Sequence, residues 1–155
     1  MTTVEFVNDY KAKKINERAL ESVLEVKKYL PFNTKRGIVK SIIEENMQYV
    51  DGMKKIDPIA QYISFTMSMI ISHTSLEISD DPINDYDLLA ESGLLNKILA
   101  LFSDDVDACN IILKMMIEDE LADNNPLAVL AKLLTGVADA LTKNENLNLF
   151  TDFLN

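Results

Sequence analysis

The sequence predicts an all-α fold, a single compact domain of six or seven helices around one largely buried central helix at residues 58–76. Apolar residues recur at three- and four-residue intervals along most of the 155-residue chain, which is the spacing of one helix face. Only four glycines and four prolines are present, too few for the many turns of a β-sandwich. Hydrophobic residues at 48% and charged residues at 26% match a globular protein.

Two helices are predicted before residue 50. The first covers residues 11–30 and ends at Pro31, because the residue before a proline is pushed out of the α region. Its apolar stripe comprises Ile15, Ala19, Val23, Val26 and Leu30. Asn33 or Thr34 then caps a second helix, whose buried face is Ile38, Val39, Ile42, Ile43 and Met47.

The central helix follows a turn at Asp51-Gly52. We interpret this pair as a helix stop followed by a loop, with a very short hairpin between MQYV and MKKI as the alternative. Asp57 caps the central helix, and Pro58 stands in its first turn, where a missing N–H costs nothing. Residues 58–76 carry no charge but hold eight polar side chains, which disfavours a membrane span.

The core of this helix is expected at Ile63 and Ile70, which are seven residues apart. Met67, Met69, Met115 and Met116 could form an adaptable binding surface. Because they lie at helical spacing among isoleucine and phenylalanine residues, we interpret them as core residues.

Four further helical segments follow the proline at residue 82, and the first of them stops near Gly93. The next is the apolar stretch LLNKILALF. Ser103 caps a third segment, whose first turn carries acids that suit the positive end of the helix dipole. Asn125 and Pro126 open the last one, with apolar residues at Leu127, Leu130, Leu134, Val137, Ala138 and Leu141.

No constellation of residues points to catalysis. The acids Asp80, Asp81, Asp85 and Asp87 could hold Mg²⁺ or Ca²⁺, but the sixth position of a calcium loop read from Asp80 is an aspartate instead of glycine. We interpret them as a turn and a helix start. His73 and Cys109 are single residues of their type within apolar helices and are expected to pack. The sequence therefore predicts no catalytic residue, no cofactor and no metal site.

Charge divides the chain in two. Residues 1–55 carry a formal +3 and residues 56–155 carry −13. Acids near a predicted helix C-terminus stand where negative charge is unfavourable, which suggests a partner bearing lysine or arginine. These acids are Glu118, Asp119, Glu120 and Asp123. The alternative is a solvated acidic surface that favours solubility. No basic-aromatic array appears, so direct nucleic-acid binding is not expected.

Both ends of the chain carry apolar residues outside the main helices. Residues 1–9 form a candidate N-terminal arm, and residues 144–155 form a candidate docking segment. The apolar residues of the second segment are Leu147, Leu149, Phe150, Phe153 and Leu154. Either end could instead fold back onto the domain's own core. The N-terminus lacks the apolar centre of a signal peptide, and the lone cysteine favours an intracellular location.

Two stretches resemble a known group of proteins. KKYLPFNTKRGIVKSIIEEN joins a Tyr-Leu-Pro-Phe helix break to a basic helix, and DYDLLAESGLLNKIL gives a start, a glycine stop and a restart. Together, over residues 25–100, they resemble small helical proteins of bacteriophages of low-GC Gram-positive bacteria, often encoded among virion-assembly genes. The resemblance implies a phage origin and a role in head, neck or tail assembly, and it carries no functional residue to transfer.

The leading hypothesis is therefore a non-enzymatic phage protein that works by protein–protein contact or self-association, as a virion component or an assembly factor in the host cytoplasm. The alternative is an acidic inhibitor that occupies a basic, nucleic-acid-binding surface of a host or defence enzyme. A metal-dependent helical enzyme is a third class, and it would require a divalent ion at the acids around Asp81.

Overall fold

The computed structural model describes residues 1–122 together with residues 124, 127, 130, 131 and 133–136. Its elements, in chain order, are α1 (Thr3–Lys11), a 3-10 turn (Glu17–Ala19), α2 (Leu20–Val23), α3 (Phe32–Asn46), β1 (Met47–Val50), β2 (Met53–Ile56), α4 (Pro58–His73), α5 (Pro82–Glu91), α6 (Leu94–Ala100) and α7 (Ser103–Ala122). The described residues from 127 to 136 are also helical. The predicted all-α class is confirmed, with one small antiparallel hairpin in the described part of the chain.

One cluster of buried apolar residues receives side chains from all seven of these α-helices. Helix α3 packs against α4 and α7, while α5 packs against α1, α4 and α6. Helix α4 contributes Phe65, Thr66, Met67, Met69, Ile70 and His73. Ile70 is fully buried, as predicted, but Ile63 is only partly buried. Within the described residues, no helix is both long and apolar enough for a membrane crossing.

The continuous helix predicted over residues 11–30 is wrong. Helix α1 ends at Lys11, and Lys13 and Glu25 adopt left-handed backbone conformations, with φ of 60° and 49°. That conformation interrupts a right-handed helix. The Asn16 side chain caps the 3-10 turn by accepting a hydrogen bond from the backbone of residue 19, so the helix restarts there.

The chain beyond α2 is not helical, and it bonds to the end of α4. The N–H of Lys27 donates to the carbonyl of His73 at 2.8 Å, and the N–H of Ser75 donates to the carbonyl of Leu24 at 2.8 Å. These two bonds join residues about fifty positions apart in sequence. These long-range hydrogen bonds oppose a helix here, although the local apolar periodicity predicts one. Local preference for a helix is weak by itself and is often overridden by tertiary contacts.

Residues 1–9 do not form an arm. They enter α1, where Phe6 and Val7 are buried in the common core. A capping box starts the helix, because the Thr2 hydroxyl accepts from the Glu5 N–H and the Glu5 carboxylate accepts from the Thr2 N–H. Phe6 and Val7 therefore face the core from a helix that the sequence did not predict.

The preferred interpretation of Asp51-Gly52 as a helix stop and loop is wrong, and the alternative hairpin forms. Strands β1 and β2 pair with Met47 opposite Ile56. Asp51 and Gly52 have φ of 54° and 76°, as the tight turn that joins such strands requires. The hairpin also bonds to a distant segment, since the Lys54 N–H donates to the Asn124 side chain at 2.9 Å.

Helix starts follow the predicted caps in one case and depart from them in another. The Asp57 carboxylate accepts from the N–H groups of Ile59 and Ala60, which confirms the cap and the proline at the first position of α4. Helix α3 begins at Phe32 with Pro31 at the N-cap, so the predicted cap at residue 33 or 34 is wrong. A proline supplies the fixed φ of a helix entry without any side-chain bond.

Candidate functional site

The most polar part of the interior centres on Asp105, at the start of α7. Its carboxylate accepts from Lys35 Nζ at 2.6 Å and from the Leu30 N–H at 2.6 Å. His73 Nε2 lies 3.2 Å from the same carboxylate. The Asp105, Lys35 and His73 side chains are all buried. They connect α7, α3 and α4 with the non-helical segment that precedes α3.

His73 has no free ring nitrogen for chemistry. Its Nδ1 lies 2.8 Å from the carbonyl oxygen of Met69, and its ring stacks on Phe102 with centroids 4.3 Å apart. Both ring nitrogens therefore face oxygen atoms of the protein. Among the described residues, every buried side-chain nitrogen or oxygen has a hydrogen-bond partner. We interpret this cluster as one that holds α3, α4 and α7 together.

Two pKa shifts agree with this interpretation. Burial alone would raise the pKa of Asp105, but the hydrogen bonds from Lys35, Leu30 and His73 outweigh it and lower the pKa. The carboxylate is therefore charged in the folded protein. Burial raises the pKa of the Cys109 thiol, so Cys109 stays protonated and is a poor nucleophile.

Two of the acids around Asp81 form hydrogen bonds that stabilise the turn before α5 and the start of that helix. The Asp81 carboxylate accepts from the Asn84 N–H and caps α5. Asp85 is buried, and its carboxylate accepts from both the N–H and the hydroxyl of Ser79, at 2.6 and 2.7 Å. In the described part of the chain, no group of three or more histidine, cysteine or acidic side chains is placed to hold a metal ion.

The candidate site lies on the solvent side of α7. We call this surface the α7 outer face and define it by Asp104, Asp107, Ile111, Met115, Glu118 and Asp119. The first five recur at three- or four-residue spacing, so they follow one face of the helix. All six are exposed, and Ile111 and Met115 are 60% and 65% exposed. Two large apolar side chains are thus flanked by acids at both ends.

The α7 outer face carries four acids, which are Asp104, Asp107, Glu118 and Asp119. Within the described residues, none of the four forms an ion pair with a lysine or arginine side chain. Lys114 is the single cation of α7 and likewise has no ion pair there. The surface therefore presents net negative charge around an apolar centre.

An apolar groove adjoins this face between α3 and α7. It has a volume of about 310 Å³ and is lined by Phe32, Arg36, Ile112, Met115 and Met116. Phe32 is mostly exposed, and Arg36 forms no ion pair among the described residues. Met115 belongs to both the groove and the α7 outer face, so the two surfaces are continuous.

The predicted partner-binding acids have different positions. Glu118 and Asp119 are exposed on the α7 outer face, whereas Glu120 pairs within the chain, 2.6 Å from Lys54 Nζ. Asp123 lies outside the described residues, as does the predicted docking segment at residues 144–155. Its apolar members are Leu147, Leu149, Phe150, Phe153 and Leu154.

Sequence reasoning missed the apolar centre of the surface. Met67 and Met69 are core residues, as predicted, but Met115 is exposed and Met116 is only partly buried. The available signal was the alternation of Ile111 and Met115 with acids on one helix face, opposite the stripe that contains Cys109. No protein-family model, curated protein or solved structure matches this chain.

Proposed function

We propose that the protein is non-enzymatic and acts by binding another protein through the α7 outer face and the adjoining groove. The observation that carries this proposal is the exposure of Ile111 and Met115 in the middle of a 20-residue helix. Removing large apolar side chains from water is the main favourable contribution to protein association. Exposed apolar patches bordered by polar residues are typical of interaction sites.

The negative charge of the α7 outer face indicates what kind of partner surface would fit it. Four acids, none of them ion-paired among the described residues, surround the apolar centre. A complementary surface would place apolar side chains against Ile111 and Met115 and lysine or arginine side chains at its edge. Complementary charge accelerates encounter and selects partners more than it adds affinity. Arg36, at the edge of the groove, would accommodate one acidic side chain of the partner.

The biological setting of this contact is a further part of the proposal. The resemblance of residues 25–100 to small phage proteins supports a virion component or an assembly factor, located in the host cytoplasm or the virion. The four carboxylates on one helix face support a second candidate, an inhibitor that covers a basic nucleic-acid-binding surface of a host or defence enzyme. Both candidates use the same surface and differ in the partner.

Site-specific photo-crosslinking tests the surface. A photoreactive amino acid at position 115 of the full chain, in the cells that express its gene, should capture a defined protein. The matched control carries it at position 71, because Ile71 is similarly exposed but belongs to α4. We expect one major product from position 115 that is absent from position 71. Equal products from both positions, or none from position 115, would contradict the proposed surface.

The captured partner separates the two candidates. A virion protein of a phage would support assembly, and a nucleic-acid-binding enzyme would support inhibition. In the second case nucleic acid should compete with the protein, and binding should weaken steeply with salt because several charges pair across the interface. An assembly contact centred on Ile111 and Met115 should show no competition by nucleic acid.

A further inference from the structure

A pocket lies where α1 ends, on a part of the surface that shares no residue with the α7 outer face. It has a volume of about 500 Å³ and is lined by residues between positions 10 and 17 and by Ser92, at the end of α5. Small-molecule sites in proteins usually measure about 300–1,000 Å³. The pocket is therefore large enough for a small organic molecule.

Two residues give the pocket an apolar surface. Tyr10 and Ile15 are partly buried and pack against the common core, so the folded core holds them in place. The Tyr10 hydroxyl is already engaged, because it donates to the Glu17 carboxylate and accepts from Lys97 Nζ at 2.9 Å. The Tyr10 ring and the Ile15 side chain can still contact an apolar group of a ligand.

The side chains of the lining that lack a partner are hydrogen-bond donors. Lys11 and Lys13 are exposed, and neither ammonium group forms an ion pair or a hydrogen bond among the described residues. The Asn16 oxygen is used by the backbone of residue 19, whereas its amide nitrogen can still donate. These donors, next to an apolar surface, fit a ligand that has acceptor oxygens and an apolar body.

The charge of the lining is positive, although the chain as a whole has a formal net charge of −10. Two lysines stand against one glutamate, and that glutamate, Glu17, is paired with Lys97. The charges of Lys11 and Lys13 thus remain for a ligand. A lysine ammonium group acts as a compact positive charge that binds carboxylate and phosphate groups. The ligand that fits this pocket is therefore an anion.

We propose that the pocket binds a small organic anion, with its apolar body against Tyr10 and Ile15 and its charged group at Lys11 and Lys13. The charged group is a carboxylate or a phosphate, because both offer several acceptor oxygens to the donors of the lining. The pocket and the α7 outer face have no residue in common, so this inference does not depend on the proposed function.

An NMR titration of the isotope-labelled full chain tests the pocket with two probes, phenyl phosphate and benzoate. At least one probe should shift the backbone amide signals of Ile15 and Ser92 in a saturable manner and leave that of Ile71, on α4, unchanged. Tighter binding of one probe identifies the charged group. Inorganic phosphate lacks the apolar body and benzyl alcohol lacks the charge, so each should bind at least about tenfold more weakly. The absence of saturable shifts with both probes, or equal binding of either control compound, would overturn the proposal.

Lys13 offers a variant that preserves the fold. Its φ is 60° and its N–H donates to the Tyr10 carbonyl, as at helix ends where glycine is the usual residue. Lys13→Gly removes the cation and relieves the backbone, so this variant should melt no lower than the wild type. It should bind the better probe about fivefold more weakly, a modest loss because the lysine is exposed.

Two further variants separate the charge of Lys13 from other effects. Lys13→Arg keeps the positive charge and should bind like the wild type. Lys114→Gln removes an exposed lysine outside the pocket and should also bind like the wild type. Undiminished binding in Lys13→Gly, or an equal loss in Lys114→Gln, would overturn the proposal. None of these variants changes the α7 outer face as defined, so the crosslinking test at position 115 stays independent.

Discussion

Replacing Asp105 with alanine should lower the free energy of unfolding by about 3–5 kcal/mol, the usual cost of breaking a buried ion pair from one side. The substitution leaves the ammonium group of Lys35 buried without its carboxylate, and it removes the acceptor for His73 and for the Leu30 N–H. Because α3, α4, α7 and the segment before α3 meet at this carboxylate, no single helix can move to restore the lost contacts.

The neighbouring residue provides the control for this variant. Asp104 is in the same helical turn but is exposed, so Asp104→Ala should change stability by no more than about 0.5 kcal/mol. Urea denaturation of both variants and the wild type measures the difference. A loss in Asp105→Ala as small as that in the control would contradict a stabilising role of the Asp105 cluster.

Removing the Asp105 carboxylate should also change how the stability of the protein depends on pH. The pKa of Asp105 is lowered in the folded protein, so its contribution is complete above its unfolded value of about 3.9. That contribution is lost as the pH falls through the folded-state pKa. The wild type should therefore lose stability in this acidic range by more than Asp105→Ala does.

Replacing Phe6 with alanine should cost about 3–5 kcal/mol of unfolding free energy. Phe6 is fully buried and is one of the two apolar residues by which α1 enters the common core. The substitution leaves a cavity that the surrounding helices can fill only in part. The measurement is again equilibrium denaturation, with far-ultraviolet circular dichroism to confirm that the remaining helices are present.

A second phenylalanine provides the comparison. Phe32 is 60% exposed at the edge of the α3–α7 groove, so Phe32→Ala should cost much less than Phe6→Ala. If the two variants were equally stable, residues 1–9 would be a dispensable arm and α1 would not belong to the core.

Local signals located the helices of the second half of the described fold, although α4 ends at His73 instead of residue 76 and α5 begins at Pro82, with Asp81 as its cap, and not at residue 84 or 85. Asp57 and Pro58 start α4 where the sequence predicts, since an N-cap carboxylate and a first-turn proline act within one helical turn. Gly93 has a φ of 70° and separates α5 from α6 for the same kind of local reason. Such features depend on neighbours in sequence and can be identified without tertiary information.

Long-range contacts account for what the sequence did not reveal. The segment after α2 leaves the helical conformation and bonds to residues at the end of α4. Asp105 is a buried partner of residues 70 and 75 positions earlier. Sequence analysis assigned Asp105 to an ordinary first turn, like its neighbour Asp104. Nothing local distinguishes these two acids, because only packing places one of them inside.

The candidate site was predictable in its charge but not in its apolar centre. Glu118 and Asp119 were identified because acids near a helix C-terminus oppose the helix dipole. Met115 is predicted as a core residue because it lies at helical spacing among apolar residues, and the structure places it on the surface. Which of the two adjacent methionines faces solvent depends on how α3 packs against α7. Local sequence patterns do not determine that packing.

Calorimetric titration of the partner captured at position 115 tests the central claim most directly. Hot-spot residues near the centre of an interface contribute about 2 kcal/mol or more. With Met115 in that position, Met115→Ser should weaken binding about thirtyfold. Ile71→Ser, on α4, should bind like the wild type. Undiminished affinity in Met115→Ser, or an equal loss in both variants, would contradict the conclusion that this protein acts through the α7 outer face.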